Sequence, residues 1–158
     1  MLVGPSGSGK STFARRHFQP TEVVSSDACR ALVADDENDQ SVTQAAFEVL
    51  HLIVAKRLAA DRLAVVDATN VQVHARRELV SLAQPQHAPL HAILFDLPLE
   101  VCEERNAARA DRTLPEGLIL HQLRQLHRAR STLRDEGFAA VHSLRSVAEV
   151  DAVEIVRS

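Results

Sequence analysis

The stretch GPSGSGKST, residues 4–12, decides how the rest of the chain is read. It sets glycine, four residues, glycine, lysine and serine in a row, after the apolar pair Leu2-Val3 and before a helical pattern, STFARRHF. Glycines let a backbone curl until several N–H groups converge, and the helix that follows adds the positive end of its dipole. Such a P-loop cradle suits phosphate oxygens. Lys10 would reach the β- and γ-phosphates, the Ser11 hydroxyl would ligate Mg²⁺ (or Mn²⁺), and Thr12 would hold a further oxygen. Together with Gly4, Pro5, Ser6, Gly7, Ser8 and Gly9, these residues form the expected site for ATP or another nucleoside triphosphate.

Outward from this loop, short β-rich runs alternate with longer helical patterns. After Leu2-Val3 come TEVVSS (21–26), RLAVVDA (62–68), HAILFDL (91–97) and AAVHSL (139–144), with VEIVRS (153–158) as a weaker last strand. Their near-continuous apolar character fits strands covered on both faces. Residues 41–61 space Val42, Ala46, Val49, Leu50 and Ile53 along one helical face, with Ser41 and Gln44 as a capping box. Thr113 and Glu116 form a second such box, for a helix running to about Glu136 and stopped at Gly137. The alternation predicts a three-layer α/β sandwich with a mostly parallel central sheet, in one domain spanning residues 1–158.

The bulk numbers agree. The chain has 158 residues, 46% hydrophobic and 25% charged, enough for one core of a globular protein. No apolar run nears the ~20 residues that cross a bilayer, and the N-terminus lacks a charged-then-apolar leader pattern. Cys29 and Cys102 have neither disulfide-scaffold nor zinc spacing, which points to a reducing, cytoplasmic setting. A net charge of -3 argues against coating long stretches of nucleic acid, but not against gripping a few phosphates at a strand end. The eight histidines, His121 and His127 among them, show no paired ligand spacing and read as surface or core fillers.

Asp27, in SSDACR (25–30), has two readings. Aspartate after a strand is a preferred helix cap. A carboxylate opening onto the same crevice as the P-loop can also take a proton from an attacking hydroxyl, and its two oxygens allow both tasks. Arg30, one turn on, would clamp an anionic group of the acceptor. Arg105, Arg109 and Arg112 share a helix face by their i, i+4, i+7 spacing. They are either a solvated face paired to nearby glutamates or a lid (about 98–116) closing over the phosphates. Asp67 ends an apolar strand, where it would act on Mg²⁺, or would simply form a turn with Thr69 and Asn70. Arg76 and Arg77 read as facing solvent.

In this order and spacing, GPSGSGKST, SSDACR, DDENDQ, VVDATN and CEERNAAR resemble the kinase domain of bacterial polynucleotide kinase-phosphatase, an RNA-repair family, and more distantly phage polynucleotide 5'-kinase. The resemblance implies transfer of the γ-phosphate of ATP or another NTP to the 5'-hydroxyl end of RNA or DNA. It implies Asp27 as general base, Arg30 and Gln40 on the acceptor side with Asn70, and Arg105 and Arg109 as lid residues on the donor phosphates. Lys10 and Ser11 would hold phosphate and metal, with Asp67 beside the metal. The alternatives on the same scaffold are a small-molecule kinase for a sugar acid or nucleoside, and a nucleotide-hydrolysing switch. Two departures stand out: only three residues precede Gly4, and no phosphatase or ligase signature follows the kinase segment, so further repair domains would be separate from this chain. With aromatic residues at 3%, no base-stacking platform is evident.

Overall fold

A computed structural model describes residues 1–157. Five strands, β1 (Leu2–Val3), β2 (Val23–Ser25), β3 (Val65–Asp67), β4 (His91–Phe95) and β5 (Ala140–Leu144), form one sheet in the order β2-β3-β1-β4-β5. Every pairing is parallel. Among the described residues seven α-helices connect or flank them: α1 (Lys10–His17), α2 (Ser26–Ala34), α3 (Thr43–Ala59), α4 (Val73–Ala83), α5 (Leu99–Ala107), α6 (Leu118–Thr132) and α7 (Val147–Asp151).

Strand alternation divides the core in two. Val3, Val24, Val66, Ala92 and Leu94 face α2, α3, α4 and α6, against Leu50, Leu79, Leu123 and Leu126. Leu2, Val65 and Phe95 point the other way, onto Phe13 and Ala14 of α1. Sheet residues buried on both faces are why these runs carry almost no polar residue. In this order β1 lies in the middle, and the C-terminal ends of β1, β2 and β3 converge on one crevice.

Several local expectations are corrected. The Ser41–Gln44 box does not form; Asp39 takes the Ser41 N–H at 2.8 Å and its hydroxyl at 2.6 Å, opening a 3₁₀ turn (Gln40–Val42) before α3. A carboxylate two residues earlier is the stronger acceptor. The Thr113–Glu116 box is also absent: α6 starts after Gly117, whose φ of 74° accommodates a left-handed turn and no side-chain cap. Gly137, at φ 103°, does follow the end of that helix. Residues 153–157 form no strand. Val153 and Ile155 instead pack on the α1 side of the sheet, and Arg157 pairs with Glu22 at 2.6 Å; Ser158 lies outside the described residues.

Candidate active site

The loop after β1 curls as its glycines allow. Gly7 and Gly9 adopt φ of 77° and 92°, and a Cβ on Gly7 would collide with the Cys102 carbonyl oxygen. Helix α5 therefore lies directly against the loop. A Cβ on Gly9 would come within 3.1 Å of an Arg105 Nη1, which puts that guanidinium at the rim of the phosphate cradle. From the opposite wall, Gln122 of α6 accepts the Ser6 N–H at 2.8 Å. The base of the loop is tied to the β3–α4 connection: the Gly4 N–H donates to Thr69 O at 2.9 Å and Asn70 Nδ2 to Leu2 O at 2.7 Å.

Lys10 begins α1 yet is only 8% exposed. Its ammonium donates to Pro5 O at 2.7 Å and reaches Ser8 Oγ at 3.4 Å, with no carboxylate in contact among the described residues. Burial pulls its pKa down to about 8, against the weaker opposing pull of Asp67 and Asp27. This is a desolvated cation aimed into the curl of the loop. Asp67, at the end of β3, is 5% exposed, and burial pushes its pKa up while the Ser11 hydroxyl and Lys10 pull it back.

Asp27 is not the cap of α2. Ser25 takes that position, its hydroxyl accepting the Ala28 N–H at 3.3 Å. The Asp27 carboxylate is left to the crevice, held by Arg30 Nη1 at 2.5 Å and Arg112 Nη1 at 3.5 Å. Arg30 itself is buried between α2 and the start of α3, where its Nε contacts Thr43 Oγ1 at 3.4 Å.

The lid is less regular than the arginine spacing suggests. Helix α5 ends at Ala107, so Arg105 lies on it while Arg109 and Arg112 fall in the turns beyond. Arg109 pairs with Asp111 at 2.9 Å and with Glu37 at 3.5 Å. Gln40 is exposed, its Nε2 on Asn38 O at 3.2 Å. Asn70, at φ 50°, spends its amide nitrogen on Leu2 and Ala68 carbonyls, and its Oδ1 is buried with no partner among the described residues. Even so, one cleft of about 1730 Å³ is lined by Ser6, Gly7, Gly9, Lys10, Ser11, Thr12, Asp27, Arg30, Gln40, Asp67, Asn70, Arg105 and Arg109. Gly4, Pro5 and Ser8 are buried beneath it.

Three contacts of the structure escape a reading of the sequence. Arg112, expected on the lid face, reaches Asp27. Gln122 sits on the inward, apolar face of α6 between Ile119 and Leu126, a polar residue out of pattern that is the one available clue. Arg76 does not face solvent; it is 2% exposed and clamps Glu136 through two contacts of 2.7 Å, with Nη1 on Asn70 O and Val71 O. Arg77 is exposed, as expected.

A family model described as an AAA domain matches residues 1–133, which hold the loop, Asp27, Asp67 and the lid. The chain belongs to the AAA domain family. One chain of "the Pnkp1/Rnl/Hen1 RNA repair complex" superposes with a TM-score of 0.70 at 25% identity, over 83% of this chain and 44% of that one. That likeness bears out the resemblance carried by the motifs. A shikimate kinase from Acinetobacter baumannii (TM-score 0.55, 20% identity, 95% of this chain and 85% of that one) shares the fold. An Arabidopsis thaliana protein named "Transcription factor bHLH140" is 27% identical over 96% of this chain, which spans only 16% of its length. The AAA domain thus carries a nucleotide-binding P-loop on a kinase fold. No helix among its described residues is long and apolar enough to cross a membrane.

Proposed function

We propose that this domain is a polynucleotide 5'-hydroxyl kinase. The observation that carries this reading is the Asp27–Arg30 pair: a carboxylate freed from capping by Ser25, beside a buried guanidinium one turn away. A hydroxyl acceptor bearing its own phosphodiester needs both, a proton acceptor at the hydroxyl and a fixed cation at the neighbouring phosphate. The likeness to a chain of an RNA repair complex, at a higher TM-score than the shikimate kinase gives, supports the same choice.

In the proposed reaction the 5'-hydroxyl oxygen bonds to the γ-phosphorus and the bond to the β–γ bridging oxygen breaks. Nucleoside diphosphate leaves, and the hydroxyl proton passes to Asp27. Lys10 and Arg105 neutralise charge on the transferring group, and Arg109 joins them on exchanging its acidic partners for phosphate. Arg112 steadies the Asp27 carboxylate against the lid. The hard oxygens of Ser11 and Asp67, with Asp67 buried and paired to no arginine among the described residues, suit Mg²⁺, which takes few protein ligands and the rest from nucleotide and water. Bound there, Mg²⁺ would neutralise phosphate charge and orient the β- and γ-oxygens. Among the described residues no cluster of three acidic, histidine or cysteine side chains offers a fuller protein cage.

The test is transfer of label from γ-labelled ATP to matched RNA and DNA oligonucleotides ending in 5'-OH or 5'-phosphate. Label should appear on 5'-OH strands alone, and Asp27→Asn should cut it ~10²–10⁴-fold with ATP binding retained. Labelling of small hydroxy acids or nucleosides in place of the strands would give the assignment to the small-molecule kinases. ATP hydrolysis that is indifferent to Asp27→Asn, with no acceptor labelled, would make it a switch.

A further inference from the structure

The cleft continues past Asn70. A groove of about 700 Å³ opens between the first turns of α4 and the C-terminal half of α6, and it shares Val71, Gln72 and His74 with the lining of the cleft. Arg77 stands on its α4 side and Gln125 and Arg128 on its α6 side, with Val73 and Ala129 as apolar lining. Neither Arg77 nor Arg128 has a carboxylate partner among the described residues, whereas Arg76, in the same lining, is consumed by Glu136. Asp135 is the one acid of the lining without an arginine. It lies beyond Thr132, at the end of the groove away from Gln122 and the P-loop. In a chain of net charge -3, two guanidinium groups facing one groove with no carboxylate in contact would suit an anion.

We propose that the acceptor strand, leaving the crevice on the 3' side of its terminal nucleotide, runs over the N-terminal turn of α4 and along α6, with successive phosphates on Arg77 and Arg128. The proposal rests on the reading of the domain as a polynucleotide kinase. The chemistry of the groove fits a single strand: separated cations for phosphates, amides of Gln72 and Gln125 for sugar and base edges, and aliphatic lining for base faces. From Gln125 to Thr132 the helix rises about 10 Å, the span of about three stacked phosphates. The enzyme would thus favour strands several nucleotides long, without base stacking on an aromatic platform.

The deciding experiment measures how KM varies with acceptor length, using acceptors with a free 5'-hydroxyl that range from a nucleoside 3'-monophosphate to an eight-nucleotide strand. The parent protein and an R77E/R128E double variant are compared at several salt concentrations. KM should fall with length and level off near four or five nucleotides. The double variant should raise KM for the eight-mer at least tenfold, leave the mononucleotide unchanged, and lessen the log–log salt slope by about 1.4, or ~0.7 for each lost phosphate contact. A KM independent of length, or an eight-mer that ignores the double variant, overturns the groove while kinase activity stands; the groove would then serve a protein surface. Failure of every acceptor, short or long, with ATP still bound, removes the kinase reading and the groove with it.

Discussion

Lys10 and Arg76 are both buried cations, and the molecule treats them in opposite ways. Arg76 is satisfied at every nitrogen: Glu136 takes two, and the Asn70 and Val71 carbonyls share the third. Lys10 rests on a carbonyl and a hydroxyl, and burial depresses its pKa to about 8. A buried charge with a complete set of partners belongs to the architecture, because its neighbours in sequence and space repay its desolvation. A buried charge left short of an anion is stored for a ligand, and the fold carries the cost until that ligand arrives.

Three substitutions would break or sharpen this contrast. The largest effect belongs to Lys10→Met. Phosphoryl transfer should fall ~10²–10³-fold, the range seen on losing one fixed transition-state donor, while the nucleotide-free protein becomes more stable. Because the folded pKa of Lys10 lies below its ordinary 10.5, the penalty is fully present below pH 8. Chemical denaturation at pH 7 should favour the variant by about 1–3 kcal/mol. That gap should close as pH rises from about 8 towards 10.5. A variant less stable than its parent at pH 7 would refute the stored-charge view.

Arg76→Met should move stability the other way, losing about 3 kcal/mol in urea unfolding because Glu136 is left half-buried with only the Thr132 hydroxyl on its carboxylate. Its activity loss should follow from unfolding and vanish at low temperature, unless the β3–α4 connection that holds Gly4 and Leu2 relaxes with it. The smallest effect is expected at the clasp between the buried Glu22 and the half-exposed Arg157, where the arginine holds the Glu22 carboxyl down to about 2. A depressed carboxylate pKa contributes stability above its unfolded value of 4.5 and loses it as pH falls towards 2. Glu22→Gln should therefore cost about 1 kcal/mol at pH 7 and nothing near pH 2.

How legible these features are in the sequence follows from how local their causes are. The P-loop, the apolar strands and the mostly parallel sheet implied by their alternation with helices arise from contiguous residues, so the chain states them openly. Asp27 reads as cap and base together because a strand-end aspartate suits both; only the side chain of Ser25, two residues away, frees it. The lid arginines keep a helical period past Ala107, but Pro115 and Gly117 lie just ahead in the chain and the helix gives way to turns. Arg76 and Gln122 are beyond reach for another reason. Their partners, Glu136 and Ser6, are 60 and 116 residues distant; the break in the apolar face of α6 at Gln122 hints at a buried polar contact, but no local pattern names a partner so far away.

The collision that any Cβ on Gly7 would meet at the Cys102 carbonyl has a consequence for variation among such domains. Loop and lid helix meet backbone to backbone, with no side chain to trim on either part. A lid transplanted from another kinase must therefore reproduce this abutment before its arginines matter. Exchange of specificity by swapping the lid alone is limited by main-chain fit, whereas the turns beyond Ala107 remain free to diversify.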